Sequence, residues 1–331
     1  MDKRETIIIL CATDNNYAPY CGIMLTSLFE SNKDCHFVVY VFEDGSVTEE
    51  NVKKYQHLSE KYGNGIVLKP IDESMVKGLP INENTHITVP TYYRLLAADL
   101  LPKDVHKVIY LDCDVIVVGD IKPLWKVSLD DRALAGAMDC GPSFDNICNR
   151  LGYPVSFGYI NAGVLVYNLD YWREKGLTEK IFTFVNEKSY SLTWMDQDAL
   201  NGVLYKQKLI LPARYNYSIM FFYRRYWDKY LLERQHCYLE ECDNIVIIHY
   251  QGKIKPWDFR HYKGAFYYDW KKNNRKSPWK NCERIRPWTL HVMHRMKRYI
   301  YPAFFKGRVS QWVVLPENRK CYKECIIKPL F

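Results

Sequence analysis

No apolar run in this chain approaches the ~18–20 residues that a bilayer-spanning helix needs. Ile7-Ile8-Ile9-Leu10 follows a charged start but is too short for a signal peptide and has no small-residue cleavage site after it. A cytosolic chain is expected. There is no Gly-X-Gly-X-X-Gly and no Walker loop, which disfavours a dinucleotide enzyme and a P-loop kinase. The 11 cysteines contain no Cys-X-X-Cys and have no pairing rhythm, although Cys140/Cys148 and Cys321/Cys325 lie close, as do Cys237/Cys242. That argues against a zinc ribbon or a secreted disulfide scaffold. Internal repeats and low-complexity segments are also lacking.

What is present is a chain of 331 residues, 48% hydrophobic and 25% charged, enough for one large core with an appendage. Strand-like runs at 7–12, 37–42, 66–68, 162–168 and 245–248 alternate with helix-like stretches near 19–30 and after Thr48. This alternation predicts an α/β fold with a mostly parallel sheet and helices on both faces. Ligands of such sheets bind at the carboxyl ends of the strands, where Asp14, Asp112 and Asp114 fall. Thr193-Trp194-Met195-Asp196 has the shape of a capping box with Asp in place of Glu. Asp196 and Gln197 are expected in the exposed first turn of the helix it opens.

Val108-Ile109-Tyr110-Leu111 runs into Asp112-Cys113-Asp114. Read as one buried strand, the run alternates its side chains, so the two aspartates share a face and Cys113 points into the core. Neighbouring carboxylates repel and raise one another's pKa. A hard divalent cation, sharing the oxygens of a nucleoside diphosphate, relieves that repulsion. Val115–Val118 resumes the apolar run, and charge inside such a stretch is costly unless paired or metal-bound. Taken by itself, the triplet also fits a solvated turn.

Further stretches stand in order around it: Ala12-Thr13-Asp14-Asn15-Asn16-Tyr17, Phe157-Gly158-Tyr159-Ile160-Asn161-Ala162-Gly163-Val164, Met195-Asp196-Gln197-Asp198-Ala199-Leu200-Asn201, and His249-Tyr250-Gln251-Gly252-Lys253-Ile254-Lys255-Pro256-Trp257. With Leu111-Asp112-Cys113-Asp114 they resemble the retaining glycosyltransferases of family 8, especially the bacterial galactosyl- and glucosyltransferases of lipopolysaccharide and surface glycans. The resemblance covers about residues 1–265. It implies a GT-A fold with a single Rossmann-like sheet, a UDP-hexose donor, a glycan or lipid-linked saccharide acceptor, and Mn²⁺, with Mg²⁺ as the alternative. Asp112, Asp114 and His249 would be the metal ligands, and an imidazole in the set favours Mn²⁺ over Mg²⁺. Ala12, Asp14 and Asn16 would hold the uridine, although Asx residues also cap turns. Arg94 would reach both donor and acidic cluster.

In the same resemblance the sugar lies among Asn161, Ala162, Gly163, Asp196 and Gln197, while Gly252 and Lys255 contact the phosphates. Lys253 is a second cation in that loop, and the loop is expected to close over the donor. Gln197 would face the anomeric carbon. An amide is a poor nucleophile, so a front-face route is expected, with Asp196 or Asp198 as nucleophile in the competing double displacement. A glycogenin-like self-glucosylating protein, suggested by the 27 tyrosines, and a catalytically dead UDP-sugar-binding protein remain alternatives.

The basic charge is concentrated at the end. Residues 271–331 hold 16 Lys/Arg against 3 Asp/Glu, while residues 1–270 hold 30 against 35. From Trp288 to Ile300, Leu290, Met293, Met296 and Ile300 recur at helical steps with Arg295, Lys297 and Arg298 between them. This predicts a basic amphipathic helix on an anionic membrane surface, placing the protein peripherally on the inner face of the cell membrane. The division expected is a catalytic domain at 1–265 and a basic, aromatic extension at 266–331. No nucleic-acid-binding module is recognisable, and no nucleic acid is expected.

Overall fold

The computed structural model describes residues 4–80, 89–141, 144–222, 238–252, 255–258, 266–280 and 282. Its strands are β1 (Glu5–Thr13), β2 (Cys35–Glu43), β3 (Gly65–Pro70), β4 (Lys107–Leu111), β5 (Val115–Val117), β6 (Leu134–Met138), β7 (Ile160–Asn168), β8 (Lys208–Leu211), β9 (Tyr217–Ser218) and β10 (Ile247–His249). The helices are α1 (Ala18–Ser31), α2 (Glu49–Tyr62), α3 (Ala97–Leu100), α4 (Lys122–Trp125), α5 (Phe144–Leu151), α6 (Leu169–Glu174), α7 (Leu177–Lys188), α8 (Met195–Leu204) and α9 (Tyr267–Lys276). Seven strands form one sheet in the order β3-β2-β1-β4-β7-β6-β8, and β5-β10-β9 form a second, smaller one. In the large sheet only β7 runs against its neighbours.

The apolar runs are continuous because both faces of the large sheet are covered. Ile109, Leu111, Val164 and Val166 enter one core with α1, whereas Val108, Tyr110, Leu165 and Tyr167 enter the other with α6, α7 and α8. Helix α2 carries Glu49 and Glu50 in its first turn and stops at Gly63 in the left-handed region, φ +61°.

Two local expectations are corrected. The run through Asp112-Cys113-Asp114 is not one strand: β4 ends at Leu111 and β5 belongs to the other sheet. The Asp112 N–H makes a last bond to the Gly163 carbonyl (2.9 Å), and the chain then turns, Val115 N–H reaching the Asp112 carbonyl at 3.4 Å. Strand alternation therefore does not set the directions of the two carboxylates. At α8, Trp194 is the N-cap without a side-chain bond. Asp198, not Asp196, takes the N–H groups of Thr193 (2.7 Å) and Trp194 (3.0 Å).

The start of the C-terminal extension is docked. Helix α9 packs on α1. Trp279 lies against Gly22, where a Cβ would stand 2.0 Å from its ring, and its indole N–H donates to Asn51 Oδ1 at 2.7 Å. The amphipathic pattern at 288–300 lies outside the described residues. Among the described residues no helix is long and apolar enough to cross a membrane.

Candidate active site

The second sheet assembles the centre of the site. Val115, the residue after Asp114, registers with His249 across the antiparallel β5–β10 ladder, and Tyr250 N–H donates to the Asp114 carbonyl at 2.9 Å. One ligand atom from each of Asp112, Asp114 and His249 then lies within 4.8 Å of the others. Asp114 Oδ1 is 3.3 Å from His249 Nε2 and its Oδ2 is 2.5 Å from Lys255 Nζ. Burial opposes its charge, but Lys255 and His249 outweigh that and hold the carboxyl well below the usual carboxylate range. Gly163 makes room for the imidazole: a Cβ there would stand 2.4 Å from His249 Cε1.

A relay of amides fixes which imidazole nitrogen faces Asp114. The Asp139 carboxylate accepts from Asn161 Nδ2 at 2.8 Å. Asn161 Oδ1 must then face the other way, where it accepts from Asn216 Nδ2 (2.8 Å) and Gly163 N–H (2.9 Å). That leaves Asn216 Oδ1 toward His249 Nδ1 at 2.8 Å, so Nδ1 donates and Nε2 is the nitrogen that can turn a lone pair to a metal. A lone pair on Nε2 beside two carboxylates is the donor set a divalent cation of borderline hardness takes, oriented as an outer-shell partner orients a metal-bound histidine.

Arg94 is buried next to this cluster. Its guanidinium donates to the carbonyls of Thr91 (3.1 Å) and Ala162 (2.6 Å) and to Asp112 Oδ1 (2.9 Å), and it covers the Tyr110 ring at 4.5 Å. Tyr110 O–H also donates to Asp112 Oδ1 at 2.7 Å. Arg94 Nε lies 3.0 Å from Asp196 Oδ2. Asp196 is therefore not an exposed first-turn residue but 4% exposed. Its Oδ2 is paired in charge yet has no hydrogen-bond donor aimed at it among the described residues. Burial pushes its carboxyl up to about 6, with Arg94 pulling the other way and Asp112 adding to the rise.

Gln197 is held by three bonds. Its Oε1 accepts from Ala162 N–H (2.9 Å) and Asn161 Nδ2 (3.1 Å), and its Nε2 donates to Asp139 Oδ2 at 3.2 Å. Asp139 also takes Gln251 Nε2 at 3.0 Å and Gly141 N–H at 2.7 Å. Asp139, Asn216 and Gln251 were not among the residues singled out from sequence. Asp139 had a signal: like Asp14 and Asp112, it follows a strand of apolar and small residues.

Other expected residues have structural duties. Both oxygens of Asp198, which is fully buried, are taken: Oδ1 by Tyr159 O–H (2.6 Å), Oδ2 by Arg150 (3.1 Å) and the N–H groups of Thr193 and Trp194. Asp14 caps the β1–α1 turn, its Oδ1 accepting Tyr17 N–H at 2.7 Å. Asn16 is exposed, and the Ala12 carbonyl accepts the Cys113 thiol at 3.1 Å. Cys113 is buried, as expected, although the turn after β4 and not strand alternation places it. Gly252 has φ +99°, a conformation that favours glycine. Lys253 and Ile254 lie outside the described residues.

A family model for Glycosyl transferase family 8 matches residues 8–260. The chain belongs to that family. It is 31% identical over 262 residues to General stress protein A of Bacillus subtilis (strain 168), spanning 78% of this chain and 90% of that protein. Its identity to a lipopolysaccharide 1,2-glucosyltransferase of Escherichia coli is 30% over 290 residues, spanning 85% and 81%. Among solved structures, an active-site mutant of LgtC matches with a TM-score of 0.73 at 24% identity, covering 86% of this chain and 99% of that one. The galactosyltransferase LgtC in complex with donor and acceptor sugar analogues matches at 0.70, with the same identity and coverage. These likenesses give the GT-A fold, and membership of family 8 gives the activity class: the chain is a glycosyltransferase.

Proposed function

We propose that this family 8 enzyme transfers glucose or galactose from a UDP-hexose to a glycan or lipid-linked saccharide, with Mn²⁺ held by Asp112, Asp114 and His249 and an α linkage formed with retention. The observation that carries the reading is the convergence of three ligand atoms within 4.8 Å beside two cationic side chains, Arg94 and Lys255, in a chain of this family. Relatives named lipopolysaccharide 1,2-glucosyltransferase and lipopolysaccharide 1,3-galactosyltransferase support a hexose donor and a surface-glycan acceptor.

When bound, the metal supplies Lewis-acid neutralisation of the departing diphosphate. Ala12, Asp14, Asn16 and the N-terminus of α1 line the uridine end, and Gly252 and Lys255 the phosphate end. Asp196 and Gln197 stand at the hexose end of the pocket with Asn161, Ala162 and Gly163. The oxygen of Gln197 has both of its donors supplied by the protein, so it does not attack the anomeric carbon; the side chain is a fixed dipole beside it. Asp198 is sealed in the turn before α8. Both facts support the front-face route, in which the leaving diphosphate takes the acceptor hydroxyl's proton. The division at 265 is retained in this reading, with residues beyond the docked α9 and Trp279 meeting an anionic membrane.

The test is UDP release from a panel of UDP-sugars, with Mn²⁺ or EDTA, by wild type and Asp114→Ala. Metal-dependent release with one preferred sugar, abolished in the variant, is expected. Failure to bind any UDP-sugar in calorimetry would sink the reading.

A further inference from the structure

The site carries a cation of its own. Lys255 Nζ lies 2.5 Å from Asp114 Oδ2 and also donates to the Tyr250 carbonyl at 2.8 Å. The imidazole of His249 faces the other oxygen of the same carboxylate. Lys255 and Asp114 are 13% and 15% exposed, so their charges meet with little solvent between them. An ammonium in contact with Asp114 and a divalent cation on that carboxylate repel each other, and the repulsion grows as water is excluded.

The backbone under Lys255 is fixed. Its N–H donates to Asp258 Oδ2 at 3.0 Å, and Asp258 N–H returns to the Lys255 carbonyl at 3.1 Å. Two residues on, Trp257 is buried and stacked on Tyr20 with centroids 3.8 Å apart. Displacement of the ammonium is therefore a swing of its flexible four-carbon stem, not a movement of Lys255–Asp258 as a lid.

The geometry points to a cation exchange in which Lys255 is the resident counter-ion of Asp114, yields that carboxylate to the entering divalent metal, and moves to the diphosphate oxygens that arrive with it. This rests on the metal–diphosphate reading of the site and adds a sign to it. Lys255 opposes binding of the metal alone and favours binding of the donor. Metal without nucleotide must evict an ammonium that then has no anionic partner; metal with a diphosphate gives that ammonium a new one. The two ligands are thereby coupled through one side chain.

The experiment titrates Mn²⁺ into the full chain without nucleotide, reading free Mn²⁺ by electron paramagnetic resonance, for wild type, Lys255→Met, Lys255→Gln and Lys255→Arg. UDP is then titrated at saturating Mn²⁺. The two neutral variants are expected to bind Mn²⁺ about tenfold or more tighter than wild type, and UDP about tenfold or more weakly. Lys255→Arg keeps the charge and should hold Mn²⁺ near the wild-type affinity. Lys255→Gln leaves Asp114 a neutral donor, so the comparison survives if the Met variant folds poorly. Mn²⁺ binding by both neutral variants that is equal to or weaker than wild type overturns the exchange and leaves the metal site standing. Absence of Mn²⁺ binding by every protein, with or without UDP, overturns the metal reading and the exchange with it.

Discussion

A single acceptor-only group, the Asp139 carboxylate, orients a chain of neutral amides that ends on His249. Removing the last amide should show this directly. Asn216→Leu is expected to leave the fold intact while weakening Mn²⁺ binding by roughly 10–100-fold, the usual cost of losing an outer-shell partner, read by the same resonance titration. Asp196 gives a second residue-level test. A carboxyl whose folded pKa is raised to about 6 contributes its stability fully below about pH 4 and loses it as pH rises through about 6. Urea unfolding of wild type and Asp196→Asn should therefore show the wild type losing on the order of 2–3 kcal/mol relative to the variant between pH 4 and pH 7. Asp112 and Asp114 stood out in sequence because charge set in an apolar run needs a reason, whereas His249 was joined to them only through the resemblance to family 8. Asp196 was read as exposed because sequence gives no sign that Arg94, 102 positions earlier, is buried against it.

Among the elements, most strands were legible because burial on both faces leaves continuous apolar runs. The break between β4 and β5 was not: no glycine or proline marks it, and the pairing of β5 with a strand from a remote part of the sequence decides it. Element β7 carries a position with no room for a side chain beside the site. Gly163→Ala would place a methyl group 2.4 Å from His249 Cε1, so the buried ring, tied to Asn216, would have to shift. Activity is expected to fall by about 100-fold or more, with Mn²⁺ affinity falling in parallel. At the edge of the same sheet, β8 buries Lys208, whose Nζ donates to the Gly158 carbonyl and Asn201 Oδ1, both at 2.7 Å. Burial lowers its pKa to about 7. Between that value and its unfolded one the unfolded chain holds the extra proton, so stability rises with pH there. Lys208→Met should remove roughly 3–5 kcal/mol of that rise between pH 7 and pH 10, measured by denaturant midpoints.

For the whole molecule, the extension at 266–331 was legible as basic and aromatic, but not as partly docked. Trp279 belongs to the core with Tyr55 and Gly22, and composition does not separate a tryptophan for a membrane from one for a helix surface. Two truncations divide these roles. A chain ending at 265 loses α9 and Trp279 and is expected to melt well below the full chain, since removing a buried Trp alone costs ~3–5 kcal/mol. A chain ending at 282 should keep its melting temperature and its donor binding while losing sedimentation with vesicles rich in anionic lipid. Equal vesicle binding by the full and the shortened chain would remove the membrane role.

The narrow second sheet also has a consequence for synthesis. It joins Asp114 to groups late in the chain, Lys255 being 141 positions away. A nascent chain thus completes its first four strands and the Asp-Cys-Asp turn long before the strand bearing His249 emerges. Until then Asp114 lacks both its imidazole and its ammonium partner. On the proposed reading of the site, a chain that ends before His249 and Lys255 is expected to bind no UDP-sugar, so competence toward the donor would arrive in one late step of synthesis.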